Sequence, residues 1–164
     1  MRTLILMRHA KSSWEEPGLG DMKRPLIASG IRKTQLIINY FNNNRITPGL
    51  LISSPALRAH ETAVLIAKGT GYPVDKIREE RKIYDEYIDR ILDLIYETPD
   101  QFDSLMIVGH NPTITHLANL FLHPGIDQLP TSGVVCISFD TDKWETIPKS
   151  QPKEKFVVFP KMLK

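Results

Sequence analysis

Two arginines and two histidines lie in three short polar segments, each of which follows an apolar run. Arg8 and His9 follow the first run, Arg58 lies just beyond the second, and His110 follows the third. Arginine binds phosphate oxygens in a planar, bidentate way and does not lose its charge. A neutral imidazole can attack phosphorus and form a phosphorylated enzyme that water later hydrolyses. These residue types predict a phosphoryl site with His9 as its nucleophile.

The charges around His9 should keep its imidazole neutral. We expect Arg8, Arg58 and His110 to lower the pKa of His9 by like-charge repulsion, so that the ring is nucleophilic near neutral pH. His110 is expected to donate a hydrogen bond to a phosphoryl oxygen and to stabilise charge in the transition state. Two helix N-termini at the same edge would add unpaired N–H groups and the positive ends of two helix dipoles.

The elements that must position these residues alternate along the chain. The apolar runs predict buried strands at 4–7, 50–52 and 105–108, and the apolar periodicity predicts helices at 31–42, 56–68, 88–97 and about 113–122. Asn111 and Pro112 suit the N-cap and first position of the last helix. Alternation of this kind favours one domain with an open, mainly parallel α/β sheet, whose ligands bind beyond the carboxyl ends of the strands.

The C-terminal part of the chain has a different pattern. Two β-rich runs, 134–139 and 156–159, flank a polar stretch and predict a hairpin or paired edge with an exposed connection. Cys136 lies among apolar neighbours, so we interpret this single cysteine as a core residue.

Composition excludes several classes of protein. The 164 residues are 41% apolar and 24% charged, with a formal charge of +2, which is typical of a globular domain and gives no basic field for nucleic acid. The apolar stretch at the N-terminus is too short for a signal sequence or a membrane span. We therefore expect a cytoplasmic protein with neither a nucleic-acid nor a membrane partner.

The three polar segments, taken together, resemble a known family. Segment 6–12 resembles the R-H-G-x-S signature of the histidine phosphatase (phosphoglycerate mutase-like) superfamily, with Ala10 in place of the glycine, and segments 53–63 and 108–112 resemble its second and third motifs. Arg24-Pro25-Leu26 followed by Gly30 looks most like the SixA-type phosphohistidine phosphatase branch. The asparagine that often follows the first motif is replaced by Glu15.

The resemblance implies a three-layer α/β/α fold, a phosphorylated His9, and a phosphate pocket formed by Arg8, Arg58 and His110. It implies no metal and no other cofactor. The predicted function is a metal-independent phosphatase that acts on phosphohistidine in a protein or on a small phosphomonoester. Alternatives are a sugar-phosphate or nucleotide phosphatase with the same nucleophile, a mutase, which the lack of room for a covering insertion disfavours, and a non-catalytic phospho-ligand binding protein.

Five further residues have possible roles at the site. Asp85 matches the position where many small relatives place an acidic residue, so it is the candidate proton donor, with Glu86 as its substitute. Both carboxylates could instead only cap and charge the helix that follows them. Ser12 is a candidate substrate-binding residue, and Lys11 and Arg24 either contact substrate or are solvated surface charges. The spacing of His110, His116 and His123 does not favour a metal site.

Overall fold

The computed structural model describes residues 1–14, 18 and 20–164. Within these ranges, six strands form one sheet in the order β3-β2-β4-β1-β5-β6. The strands are β1 (Arg2–Arg8), β2 (Leu50–Ser53), β3 (Arg78–Glu79), β4 (Ser104–Gly109), β5 (Val134–Phe139) and β6 (Pro152–Val158). Strands β3, β2, β4 and β1 are mutually parallel, and β5 and β6 continue the sheet in antiparallel pairing. The predicted mainly parallel sheet is confirmed.

Helices cover both faces of the sheet. They are α1 (Ala28–Asn43), α2 (Leu57–Thr70), α3 (Arg81–Tyr84), α4 (Ile88–Tyr96) and α5 (Thr113–Asn119). Because strand side chains alternate between faces, Leu4 and Leu6 pack with α4 and α5, while Ile5 and Met7 pack with α1 and α2. Two apolar clusters therefore lie on either side of the sheet, which confirms the predicted three-layer α/β/α arrangement.

The predicted pairing of the two C-terminal strands is confirmed, but the prediction of an exposed connection between them needs correction. β5 has the predicted bounds, and it joins the sheet through β1 rather than standing apart. β6 begins at Pro152, earlier than expected, and ends at Val158. The connection includes a 3-10 helix, Trp144–Lys149, and Trp144 is completely buried with its indole N–H donating to the Phe102 carbonyl at 2.8 Å. The connection is thus anchored in the core at this residue and is not simply exposed.

The start of α5 differs from the prediction. The helix begins at Thr113, so Pro112 precedes it and Asn111 is not its N-cap. The Asn111 side chain accepts a hydrogen bond from the Thr115 hydroxyl at 2.7 Å and donates one to the Leu129 carbonyl at 2.8 Å. Its polar atoms hold the loop before β5 against the helix instead of capping the first turn.

Two elements had no signal in the sequence pattern. β3 has two residues, both exposed, and α3 has four residues, of which only Ile83 is buried. Neither is long enough to show an apolar period.

The single cysteine, Cys136, is buried as predicted, and burial raises the pKa of its thiol to about 12.

The sheet register brings the ends of β1, β2 and β4 together. Arg8 is paired with Gly109, and the next residue, His9, donates its backbone N–H to the Gly109 carbonyl at 3.0 Å. On the other side of β4, the backbone N–H of Ser54 donates to the Val108 carbonyl at 3.1 Å.

No helix in the described ranges is long and apolar enough to cross a membrane.

Candidate active site

His9 and His110 lie side by side at the carboxyl ends of neighbouring strands. Their ring centroids are 5.2 Å apart, and both residues are buried. The predicted convergence of the first and third polar segments is therefore present in the structure. The second segment contributes Arg58, which lies in the first turn of α2 and is also buried.

One hydrogen bond fixes the tautomer of His9. Its Nδ1 lies 2.7 Å from the carbonyl oxygen of Ala10. A carbonyl oxygen only accepts hydrogen bonds, so Nδ1 must carry the proton and Nε2 must carry the lone pair in the neutral ring. The ring is thus prepared to attack through Nε2.

The pKa of His9 is lowered to about 4, so its ring is neutral at pH 7. The largest cause is burial, which removes the charged form from water and outweighs the hydrogen bond to Ala10. The charges of Arg58, Arg8 and Arg24 lower the pKa further. The expected direction is correct, but burial rather than like-charge repulsion is the main cause.

Ala10 connects the first motif to the second. Its backbone N–H donates to the Thr62 hydroxyl at 2.9 Å, and that hydroxyl donates to the carbonyl of Arg58 at 2.7 Å. The end of β1 and the first turns of α2 are therefore held in one relative position. Sequence analysis did not identify this contribution of Thr62, although the residue lies within the second motif.

Arg58 is held by a carboxylate that sequence analysis missed. Its two terminal nitrogens donate to the backbone carbonyl of Asp21 at 2.8 Å and to Asp21 Oδ2 at 3.0 Å. Asp21 also accepts a hydrogen bond from the Tyr84 hydroxyl at 2.8 Å and forms an ion pair with Arg24 at 3.3 Å. The feature of the sequence that could have indicated this role of Asp21 is its position three residues before Arg24.

The charge of Asp21 is stabilised by these contacts. Burial alone raises the pKa of this carboxyl group. The hydrogen bonds from Tyr84 and Arg58, together with the charges of Arg58 and Arg24, outweigh burial and bring the pKa below its ordinary value. Asp21 is therefore ionised at neutral pH and fixes the two guanidinium groups on the same side of the site.

His110 is bound by Ser54, a third residue whose contribution the sequence did not indicate. His110 Nε2 lies 2.8 Å from the Ser54 hydroxyl, and that hydroxyl accepts the backbone N–H of Ala56 at 3.2 Å. The hydroxyl can thus give its own proton to Nε2. His110 Nδ1 is buried without a hydrogen-bond partner among the described residues, so its N–H is not used within the described part of the chain.

The pKa of His110 is lowered to about 3, which makes this ring neutral at pH 7 as well. Burial is again the largest cause, followed by the charges of His9 and Arg58. A neutral ring can still donate one N–H bond, although it adds no full charge.

A cavity of about 510 Å³, here called the central pocket, opens between these groups. It is lined by Arg8, His9, Lys11, Ser12, Trp14, Arg24, Lys33, Arg58, His110, Asn111 and Thr131. This set of described residues contains no carboxylate. The buried Nε atoms of Arg8, Arg24 and Arg58 have no partner within the described part of the chain. Unpaired buried donors, and a lining that has cations but no carboxylate, favour an anionic ligand.

The predicted substrate-binding residues Lys11, Ser12 and Arg24 all line the central pocket. Lys11 is exposed, whereas Ser12 is buried and accepts a hydrogen bond from Arg24 at 3.2 Å. The Arg24 guanidinium lies 3.5 Å from the centre of the Trp14 ring, and 77% of Trp14 is exposed. Trp14 therefore presents an aromatic face at the mouth of the pocket. Glu15 lies outside the described residues.

The two candidate proton donors have different surroundings. Asp85 is not part of the pocket lining, and its carboxylate is paired with Arg81 Nε at 3.1 Å. Glu86 has a φ of 61° and its carboxyl group is hydrogen-bonded to Thr113. Burial raises the pKa of Glu86, against smaller opposing effects of Thr113 and Arg58. The structure thus brings Glu86 within the electrostatic reach of Arg58, whereas the described contact of Asp85 is with Arg81.

No group of three or more histidine, cysteine or carboxylate side chains that could hold a metal ion occurs in the described ranges.

Comparisons with known proteins identify the family of this chain. The model of the histidine phosphatase superfamily (branch 1) matches residues 4–82. An uncharacterized protein of Mycobacterium tuberculosis is 30% identical over 141 residues, which is 80% of this chain and 85% of the relative. The chain therefore belongs to the histidine phosphatase superfamily, and its family and site support phosphatase activity.

Two solved structures show the same fold. A protein of Agrobacterium tumefaciens assigned as a phosphohistidine phosphatase SixA is similar with a TM-score of 0.78 and 24% identity, covering 94% of this chain and 97% of that one. The protein histidine phosphatase SixA complexed with tungstate has a TM-score of 0.75 and 17% identity, with 99% of each chain covered.

Proposed function

We propose that this chain is a SixA-type phosphatase that removes the phosphoryl group from phosphohistidine in a protein, through a phosphorylated His9. The observation that carries this proposal is the tautomer of His9. Its Nδ1 proton is fixed on the Ala10 carbonyl, so the Nε2 lone pair is available within a pocket lined by cations. The arrangement matches what an imidazole nucleophile needs to attack phosphorus.

The reaction proceeds in two displacements. In the first, His9 Nε2 forms a bond to phosphorus and the bond between phosphorus and the substrate imidazole breaks, with the electron pair leaving on the substrate nitrogen. Arg8 and Arg58 bind the phosphoryl oxygens, and His110 Nδ1–H donates to one of them. In the second, water attacks phosphorus, the bond to Nε2 breaks, and inorganic phosphate is released with His9 restored.

The leaving group favours phosphohistidine over an alkyl ester. An alkoxide must be protonated as it leaves, whereas the second ring nitrogen of a phosphohistidine can already carry a proton. No carboxylate lines the central pocket among the described residues, and Asp85 is paired with Arg81. The structural similarity to SixA proteins supports the same substrate.

A small phosphomonoester, such as a sugar phosphate or a nucleotide, is the second candidate substrate. The observation that favours it is Glu86, since burial raises the pKa of a carboxyl group near Arg58. A carboxylic acid with a raised pKa can protonate an alkoxide. A phospho-ligand binding protein without turnover is disfavoured because the nucleophile and the cations are all in place.

One comparison of substrates tests the proposal. The wild type should hydrolyse a phosphohistidine peptide and an aryl phosphate, and it should hydrolyse an alkyl phosphate much more slowly. If the second candidate holds, Glu86→Gln should slow alkyl phosphate hydrolysis by about 10²-fold, within the usual range for a lost general acid; under the proposed function it should change the phosphohistidine rate little. Asp85→Asn, the neighbouring control, should leave all three rates nearly unchanged.

Other outcomes would change the assignment. A wild type that prefers alkyl phosphates to phosphohistidine would make the second candidate the correct one. A loss in Asp85→Asn limited to alkyl phosphates would restore Asp85 as the proton donor. Absence of turnover on all three substrates would support the binding protein.

A further inference from the structure

We propose that a groove beside the central pocket binds the segment of a phosphorylated protein that flanks its phosphohistidine, and that it selects an apolar residue followed by a carboxylate. This inference rests on the proposed function, because it concerns the part of the substrate that lies outside the phosphoryl site. The groove has a volume of about 340 Å³ and is here called the lateral groove.

The lateral groove is mostly apolar. Its apolar lining comes from α1, from the loop before β5 and from the C-terminal segment, namely Leu36, Pro130, Phe159 and Pro160. Leu36 and Phe159 are both only partly buried, so they present apolar surface to a ligand. Covering such surface with an apolar side chain is favourable by roughly 25 cal/mol per Å² buried.

The groove adjoins the central pocket. Lys33 and Thr131 line both cavities, so the two lie next to each other on the surface. Consecutive residues of an extended peptide are about 3.8 Å apart at their Cα atoms. A peptide whose phosphohistidine enters the central pocket would therefore place the next residues over the groove. A free phosphate or a small ester would not reach it.

The charges of the groove indicate what accompanies the apolar residue. Lys33 and Lys161 are exposed at its edge, and no carboxylate lines either cavity among the described residues. Lys161 Nζ lies 5.8 Å from the centre of the Phe159 ring, so the cation is located beside the apolar surface. A carboxylate next to an apolar side chain would complement this pair, and a lysine there would be repelled.

The test compares two phosphohistidine peptides of equal length. In one, leucine and glutamate follow the phosphohistidine; in the other, serine and lysine follow it. The wild type should have a kcat/KM for the leucine-glutamate peptide that is about tenfold higher, mainly through a lower KM, as expected for uniform binding of a remote group.

Two groove variants should reduce this preference. Lys161→Glu reverses an exposed charge and should reduce kcat/KM for the leucine-glutamate peptide by about fivefold, while Leu36→Gln should reduce it by a similar factor through lost apolar contact. Both should retain the wild-type rate on an aryl phosphate, which does not reach the groove. Lys155→Glu on β6 and Ile31→Gln on α1 are matched controls outside the groove lining and should keep the full preference.

The outcomes separate this inference from the proposed function. Equal kcat/KM for the two peptides, or an unchanged preference in Lys161→Glu, would overturn the role of the groove and leave phosphohistidine hydrolysis intact. Hydrolysis of aryl phosphate without hydrolysis of either peptide would overturn the proposed function itself, and the groove with it.

Discussion

The two histidines at the site are distinguished by what each ring nitrogen contacts. His9 uses Nδ1 to bind its neighbour's carbonyl, which leaves Nε2 as the nucleophile. His110 uses Nε2 to bind Ser54, which leaves Nδ1 as the donor. Burial lowers the pKa of both rings, so both imidazoles are neutral at pH 7. The positive charge of the site is therefore carried by its arginines.

These pKa values predict an unusual acid limit for activity. Because the pKa of His9 is about 4, kcat/KM should fall with a midpoint near pH 4 as the ring is protonated, rather than near the ordinary histidine value of about 6.5. The measurement is kcat/KM on an aryl phosphate from pH 3.5 to 8, with circular dichroism at each pH to exclude unfolding. A midpoint near pH 6.5 in folded protein would contradict the account of His9.

Asp21 is predicted to be a positioning residue. Its carboxylate binds one terminal nitrogen of Arg58 and pairs with Arg24, so Asp21→Asn should leave the guanidinium groups less well fixed even though the backbone carbonyl still accepts from Arg58. Removing a negative charge next to the phosphoryl site should at the same time favour anion binding. We therefore expect kcat to fall by about tenfold, of the order expected when a charged hydrogen bond is lost, without an increase in the dissociation constant for inorganic phosphate.

Tyr84→Phe provides the matched control for Asp21→Asn. It removes one hydrogen bond to the same carboxylate and leaves the contacts with Arg58 and Arg24 in place, so its effect on kcat should be smaller. Weaker phosphate binding with unchanged kcat in Asp21→Asn would mean that Asp21 contributes to ground-state binding rather than to alignment.

At the scale of elements, the site depends on how closely α1 approaches the end of β1. Gly30 lies in the first turn of α1, and a Cβ added there would lie 2.5 Å from the carbonyl oxygen and 2.9 Å from the nitrogen of Lys11. Both are backbone atoms, so neither can move away cheaply. Ile27, the N-cap residue of α1, donates its N–H to the same carbonyl at 3.1 Å. Glycine is therefore required for the helix to pack against the segment that follows His9.

Gly30→Ala should destabilise the fold and reduce activity. Alanine favours a helix interior by about 1 kcal/mol over glycine, but overpacking against fixed backbone costs about 1–3 kcal/mol, and the helix must also shift from Lys11. We expect a lower free energy of unfolding in urea and a reduced kcat on aryl phosphate. Arg32→Ala, at an exposed position of α1, is the control and should change neither. A stabilised Gly30→Ala variant with full activity would contradict the close packing.

At the scale of the whole molecule, a nearly neutral chain concentrates its cations at one edge of the sheet. The formal charge is only +2, yet the described lining of the central pocket has five arginine or lysine residues and no carboxylate. Asp21, which pairs with Arg24 and Arg58, is outside the described lining of the pocket. Local charge arrangement rather than net charge thus accounts for anion binding.

Much of this arrangement could be predicted from the sequence. Buried parallel strands give continuous apolar runs, and the residues that follow them must meet at one edge, so the convergence of Arg8, His9, Arg58 and His110 follows from the pattern. Asp21 and Ser54 could not be assigned in this way, because their roles depend on contacts between distant segments. Glu86 adopts a left-handed backbone conformation, for which the sequence had no marker.

The most direct test of the account is to trap the phosphorylated enzyme. Turnover of a ³²P-labelled phosphohistidine peptide, carried out with a metal chelator present and quenched in base, should leave label on the protein. That label should be lost in acid, as a bond between phosphorus and nitrogen requires, and it should map to His9 and be absent from His9→Ala. An acid-stable label, a label that persists in His9→Ala, or turnover that requires a divalent metal ion would contradict the central role of His9.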